Sequence, residues 1–131
     1  MQDYKDLLVW KKSMRLAEQV LLHTQKFPKE QRYVLVAQMQ RVAVSVPSNI
    51  AEGRTRHTEN EFVYFLNIAR GSMAELQTQI MLSMKMKFLE QSVGKQMLQD
   101  SDEIFKMIYG LRATLGVSAV KAKTSRLKAH G

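Results

Sequence analysis

Apolar residues recur at three- and four-residue spacing through four successive segments, and nowhere do they alternate over the length of a strand. That period lays them along one face of an α-helix. The chain must therefore bury helix against helix. In the first segment, about residues 7–26, Leu7, Trp10, Met14, Ala17 and Leu21 form the stripe, with Lys11, Lys12, Arg15 and Glu18 outside it. Phe27-Pro28 ends that helix, because a residue before proline is pushed out of the helical region. The second segment, about 31–52, runs through Leu35, Met39, Val42, Val46 and Ile50. The third, about 59–86, carries Phe62, Phe65/Leu66, Ala69, Met73, Leu76 and Ile80. It opens on Thr58-Glu59-Asn60-Glu61, where hydroxyl and carboxylate can cap each other's amides. The fourth, about 92–115, uses Val93, Met97, Ile104, Ile108, Leu111 and Leu115, with Gly116 as its stop. Connections of a few residues make consecutive helices antiparallel neighbours. The expectation is all-α: an antiparallel up-down-up-down four-helix bundle over residues 1–115, followed by a basic flexible tail at 116–131.

One proline interrupts this regularity. Pro47 cannot donate an amide hydrogen bond to Ala43, and its ring crowds that carbonyl. In an exposed helix the cost is about 3 kcal/mol. Ser45, Ser48 and Asn49 surround it and can bond locally to backbone groups, which predicts a bent but continuous helix rather than a break into two. Gly53 is expected to close it in a left-handed conformation. The turn that follows displays Arg54, Arg56 and His57. Part of its charge is accounted for by the negative end of the second helix, which suits Arg54 better than Arg56, and by Glu52, which can pair with either.

The net charge is +8, and residues 116–131 contribute half of it through Lys121, Lys123, Arg126 and Lys128 with no acid. Such a balance favours polyanionic partners, nucleic acid above all, over a merely solvated basic surface. The absence of cysteine excludes a disulfide framework and thiolate metal sites. No uncharged apolar run approaches the roughly 18 residues of a membrane span. The N-terminus carries two aspartates where a secretion signal would be basic and then apolar, so a soluble cytoplasmic protein is expected.

Catalytic chemistry finds little support. No acid stands three residues before a histidine, as a di-metal bundle site requires, and His23, His57 and His130 lie on different segments. Phosphate-cradling glycine motifs are absent. Asp100, Asp102 and Glu103 read as a solvated helical face. No enzyme, metal or cofactor is expected. Of the nine methionines, Met14, Met39, Met73 and Met97 sit on the stripes as core filler, while Met81, Met84 and Met86 cluster where a partner contact would suit them. Helices two and three are apolar on a second side, through Val34, Val36, Ala37, Ala43 and Val44 and through Tyr64, Ile68 and Leu82. Self-association would bury that side. The ten aromatics mostly follow the apolar stripes, so phosphate contacts are expected in place of base stacking.

The string SVPSNIAEG at 45–53 resembles the signature of the four-helix-bundle proteins encoded in intervening sequences of bacterial 23S ribosomal RNA genes. The likeness extends to DLLVWKKSMRLAEQV at 6–20, FPKEQRY at 27–33 and NEFVYFLNIARGSMAELQTQI at 60–80, and so covers about residues 6–115. It implies four antiparallel helices, often assembled as a ring of five. Relatives include the accessory variability determinants of diversity-generating retroelements, which are not enzymes and bind nucleic acid and a partner reverse transcriptase. The basic tail lies outside the shared pattern.

Two function classes emerge. The favoured one is a non-catalytic, homo-oligomeric (pentameric) protein that binds RNA or DNA through phosphate, as an accessory to an RNA-based process, with a reverse transcriptase as one possible partner. Its candidate contacts are Lys11, Lys12 and Arg15, Arg54 and Arg56, and the four tail bases. Ser45, Pro47, Ser48, Asn49, Glu52, Gly53, Thr58 and Glu61 shape the kink and turn. The competing class is a protein-interaction module whose charge only keeps it in solution.

Overall fold

The computed structural model describes residues 3–115 with their side chains, and the backbone of the last helix beyond them. Four helices make up the fold: α1 (Leu8–Thr24), α2 (Ala37–Arg54), α3 (Glu59–Lys85) and α4 (Gln91–His130). The backbone of α4 runs on through the expected stop at Gly116, and the side chains of Lys121, Lys123, Arg126 and Lys128 lie outside the described residues. α1 packs on α2 and α4, α2 chiefly on α3, and α3 on α4, which closes the expected antiparallel four-helix bundle. Phe27 after α1 and Phe88 after α3 meet with ring centroids 5.8 Å apart, so both connections lie at one end. Leu7, the α2–α3 turn, Leu111 and Leu115 gather at the other.

Ile50, Leu66, Leu76, Ile80, Ile104 and Ile108 are fully enclosed along the bundle axis. Each stabilises the fold by about 1.5–3 kcal/mol relative to an exposed side chain. The stripes expected for α2, α3 and α4 supply most of this core, including Met39, Met73 and Met97. For α1 the expectation is corrected. Its buried line is Val9, Ser13, Leu16, Ala17, Val20 and Thr24, and Met14 is 45% exposed. Two polar residues disguise that line. The Ser13 hydroxyl donates to the Val9 carbonyl at 2.7 Å and the Thr24 hydroxyl to that of Val20 at 2.7 Å, so both enter the core with their donors satisfied.

α2 is preceded by a 3-10 turn, Lys29–Gln31, and a π-helical turn, Arg32–Val36. It then passes through the buried Pro47 without interruption, which excludes the two-helix alternative. The expected local bonds are present. Ser48 donates to the Val44 carbonyl at 2.8 Å, Asn49 donates to that of Ser45 at 2.8 Å, and the Ser45 hydroxyl reaches Ser72 of α3 at 2.9 Å. Pro47→Ala restores the missing amide and should leave helicity by circular dichroism equal or higher. Because Pro47 also lines a surface groove, a shift in light-scattering mass in this variant reports whether its ring shapes a subunit contact.

The left-handed conformation expected at Gly53 is not found. α2 runs on to Arg54, and no described glycine has positive φ. Gly53 is required by proximity: a Cβ there would lie 2.7 Å from the Phe65 Cβ and 3.0 Å from the Phe62 Cδ1. The left-handed residue is Lys87, at φ 61°, one position past the α3 cap. There Phe88 N–H donates to the Ser83 carbonyl at 2.9 Å and Lys87 N–H to that of Met84 at 3.1 Å, the Schellman arrangement. The box at Thr58 forms as expected: the Glu61 amide donates to the Thr58 hydroxyl at 3.1 Å, and the Thr58 amide to the Glu61 carboxylate at 3.2 Å.

Candidate nucleic-acid interface

The α2–α3 turn holds its two arginines differently. Arg56 donates through Nη2 to Glu52 Oε1 at 2.5 Å, and its guanidinium lies 4.9 Å from the Phe65 ring centroid. Both partners of the ion pair are partly exposed, so the pair contributes little to stability, while the cation–π contact adds about 0.5–1 kcal/mol. Arg54 is half-buried and has no carboxylate partner among the described residues. Of the two pairings open to Glu52, the structure shows the one with Arg56, while Arg54 sits in the last turn of α2. A cleft of about 320 Å³ opens beside them, lined by Leu7, Arg54, Arg56, His57, Phe62 and Leu115.

On α1, Lys11 and Arg15 are exposed one turn apart. Lys12 is tied to Glu103 of α4. The acidic cluster of α4 is correspondingly occupied: Glu103 by Lys12, Asp102 by Gln77 at 2.8 Å and Asp100 by Gln96 at 3.0 Å. Among the described residues no three His, Cys, Asp or Glu side chains gather as a metal site would require. No described helix is long and apolar enough to cross a membrane.

Apolar side chains left outside the core include Leu8, Leu22 and Val34, and two further groups bear on assembly. A groove of about 480 Å³ between α1 and α2 is lined by Trp10, Met14, Leu21, Val44, Pro47 and Ala51. Trp10, Met14 and Leu21 belong to the stripe the sequence assigned to the α1 core; of that stripe Ala17 is buried, Leu7 and Trp10 pack partly against the core, and Met14 is exposed. Tyr64, Ile68 and Leu82 are exposed on α3. Of the second-side residues expected on α2, Val34 and Val44 are exposed, whereas Val36 and Ala43 are buried within the chain's own bundle. Met81 and Met86 are exposed, but Met84 packs against the core and covers Gly94.

A third feature was missed. The α1–α2 corner carries Lys26, Lys29, Arg32 and Tyr33, all exposed. Tyr33, Tyr64 and Tyr109 depart from the pattern of stripe-bound aromatics. The clustering of three bases with one acid between residues 26 and 32 was the signal available beforehand.

Fold and surface together define a small, basic, antiparallel four-helix bundle. The chain belongs to the 23S rRNA-intervening sequence protein family, whose model matches residues 5–110, as the SVPSNIAEG resemblance implied. It is similar to the crystal structure of a protein of unknown function from the S23 ribosomal protein family of Bacteroides thetaiotaomicron. The TM-score is 0.75 at 23% identity, over 81% of this chain and 96% of that one, a likeness of fold. No curated protein matches the chain.

Proposed function

We propose that this protein is a non-catalytic, homo-oligomeric nucleic-acid-binding bundle, acting in the cytoplasm as an accessory to an RNA-based process. One observation carries the reading. Of the sixteen lysines and arginines in residues 3–115, only Lys5, Lys12 and Arg56 are ion-paired among the described residues. Sixteen bases against twelve acids leave this span with a net charge of +4, which favours a polyanionic partner. The family name ties its members to ribosomal RNA intervening sequences, which favours RNA. The alternative setting, an accessory to a retroelement reverse transcriptase, uses the same surfaces.

Self-association is supported by the two separate apolar surfaces. A groove on α1 and α2 and a ridge on α3 are the unlike patches that a head-to-tail ring brings together, and a ring of five is the expected closure. Repetition of one basic surface around a ring raises avidity without any new contact.

Salt-titrated binding of a labelled RNA tests the charge reading. Arg54→Gln should weaken binding alike across unrelated sequences and flatten the plot of log affinity against log salt by up to about one unit. Arg56→Gln should lower stability slightly and change the slope less, because Glu52 already neutralises it. Truncation after Gly116 removes four bases and should flatten the slope most. No affinity for RNA or DNA even in low salt overturns the reading and promotes the protein-interaction module.

A further inference from the structure

Buried Val36 sets the inward face at the start of the second helical segment. In an uninterrupted α-helix, Tyr33 and Arg32, three and four residues earlier, would share that face. The π-helical turn prevents this. The Ala37 amide donates to the Arg32 carbonyl, five residues back, so one extra residue enters the turn and rotates both side chains off the core. Tyr33 is left 85% exposed, the most exposed of the large apolar and aromatic side chains among the described residues. π-Turns are less stable than the α-turns they replace and concentrate at functional sites. Nothing in the packing of this bundle calls for a tyrosine at this position.

The surroundings specify a ligand. Tyr33 borders a cavity of about 600 Å³, within the general range of ligand pockets, lined also by Thr24, Phe27, Lys29, Arg32 and Gln40. Of its lining, Lys29 and Arg32 are exposed cations; Lys26 is exposed in the preceding turn, none of the three is ion-paired among the described residues, and Glu30 is the one acid of the segment. Gln40 is anchored, its Nε2 donating to the Thr24 hydroxyl at 3.0 Å, while that hydroxyl donates to the Val20 carbonyl. The Gln40 amide oxygen remains to accept from a polar edge. An aromatic face, cations in the same lining and an oriented amide acceptor match a nucleotide: ring, phosphate and base amino group. A protein contact fits less well, since the centres of protein interfaces are depleted of lysine, whereas Lys29 lines the same cavity as Tyr33.

We propose that the α1–α2 corner holds an unpaired base of single-stranded RNA, with the Tyr33 ring as stacking platform, Lys29 and Arg32 on the flanking phosphates, and Gln40 at the base edge. The proposal rests on the nucleic-acid reading above and adds a site distinct from the α2–α3 turn. It also revises the expectation that aromatics take no part in binding.

Fluorescence anisotropy of the full chain with a labelled single-stranded oligoribonucleotide provides the test, alongside an abasic strand of equal length. Tyr33→Ala should weaken binding to the base-containing strand by about tenfold, and Tyr33→Phe should stay within about twofold of the parent. Binding to the abasic strand should be the same for all three proteins. Equal affinity of Tyr33→Ala and parent for the base-containing strand overturns the site while leaving the electrostatic reading intact. So does an equal loss on both strands. A fall in light-scattering mass in Tyr33→Ala assigns the residue to a subunit contact and also overturns the site. Failure of the parent to bind any strand in low salt defeats the nucleic-acid reading itself, and the site with it.

Discussion

If the proposed self-association uses the α1–α2 groove, Val44→Glu should lower the light-scattering mass from a multiple of 15.1 kDa to that of a monomer, with helicity unchanged. Val44 contributes nothing to the chain's own core: it is 44% exposed and lines the groove between α1 and α2. A glutamate there therefore remains solvated in the monomer and costs little. In an assembly that covers the groove, the same carboxylate is stripped of water among Trp10, Met14 and Pro47, at a cost of several kcal/mol per subunit. A closed ring meets that cost at every interface. The paired control is Val44→Thr, similar in volume and polar but uncharged, which should weaken assembly less. If Val44→Glu keeps the parent's mass, the groove is not a subunit interface. RNA affinity measured on the same variant then separates avidity from intrinsic binding: a monomer with its basic residues intact should bind more weakly without any change in which phosphates it contacts.

Gly53→Ala should destabilise the protein by about 1–2 kcal/mol, although alanine is the better helix former by about 1 kcal/mol. Its added methyl would meet the Phe65 Cβ at 2.7 Å and the Phe62 ring at 3.0 Å, and the first of these is anchored to the α3 backbone. The end of α2 must move away from α3, carrying Arg54 and Arg56 with it. Gly71 offers the opposite case. It is helical and exposed, with nothing within 4 Å of a Cβ, so Gly71→Ala should stabilise by about 0.5–1 kcal/mol. Denaturant titrations at one fixed protein concentration, which keeps the contribution of assembly constant, should place the two variants on opposite sides of the parent. Matching signs would mean that helix propensity, and not the approach of α2 to Phe65, governs position 53.

These two glycines illustrate what one-dimensional reading can and cannot reach. Glycine near the end of a helical run most often marks a left-handed cap, which is what the sequence around Gly53 predicts. Its actual role depends on how closely Phe62 and Phe65 of α3 approach, a distance that no local rule contains. The cap at Thr58 was legible because both of its partners lie within four residues. Pro47 was legible for the same reason, since Ser48 and Asn49 bond one turn back along their own helix. The site was legible only in part. The bases could be counted, but Lys12 is neutralised by Glu103, ninety-one residues away, and the pairing became visible only once α1 lay beside α4.

Local pattern alone determined the number of helices, their antiparallel order and most of the core of α2, α3 and α4. Spacing along a helix is a one-dimensional property, and short connections leave no other arrangement of neighbours. The orientation of α1 about its own axis was decided only in three dimensions. Apolar side chains surround more than half of that helix, so its sequence supports either the Trp10–Met14–Leu21 line or the Leu16–Val20 line as the inward face. Packing against α2 and α4 chose the second, because Ser13 and Thr24 can satisfy their own hydroxyls inside the core and are small enough for close helix approach. Met14 and Leu21 of the first line were left at the groove. The π-turn that turns Tyr33 outward is likewise a tertiary result: it adjusts the register between a proline-terminated α1 and an α2 whose inward face is set by Val36, Met39 and Val42.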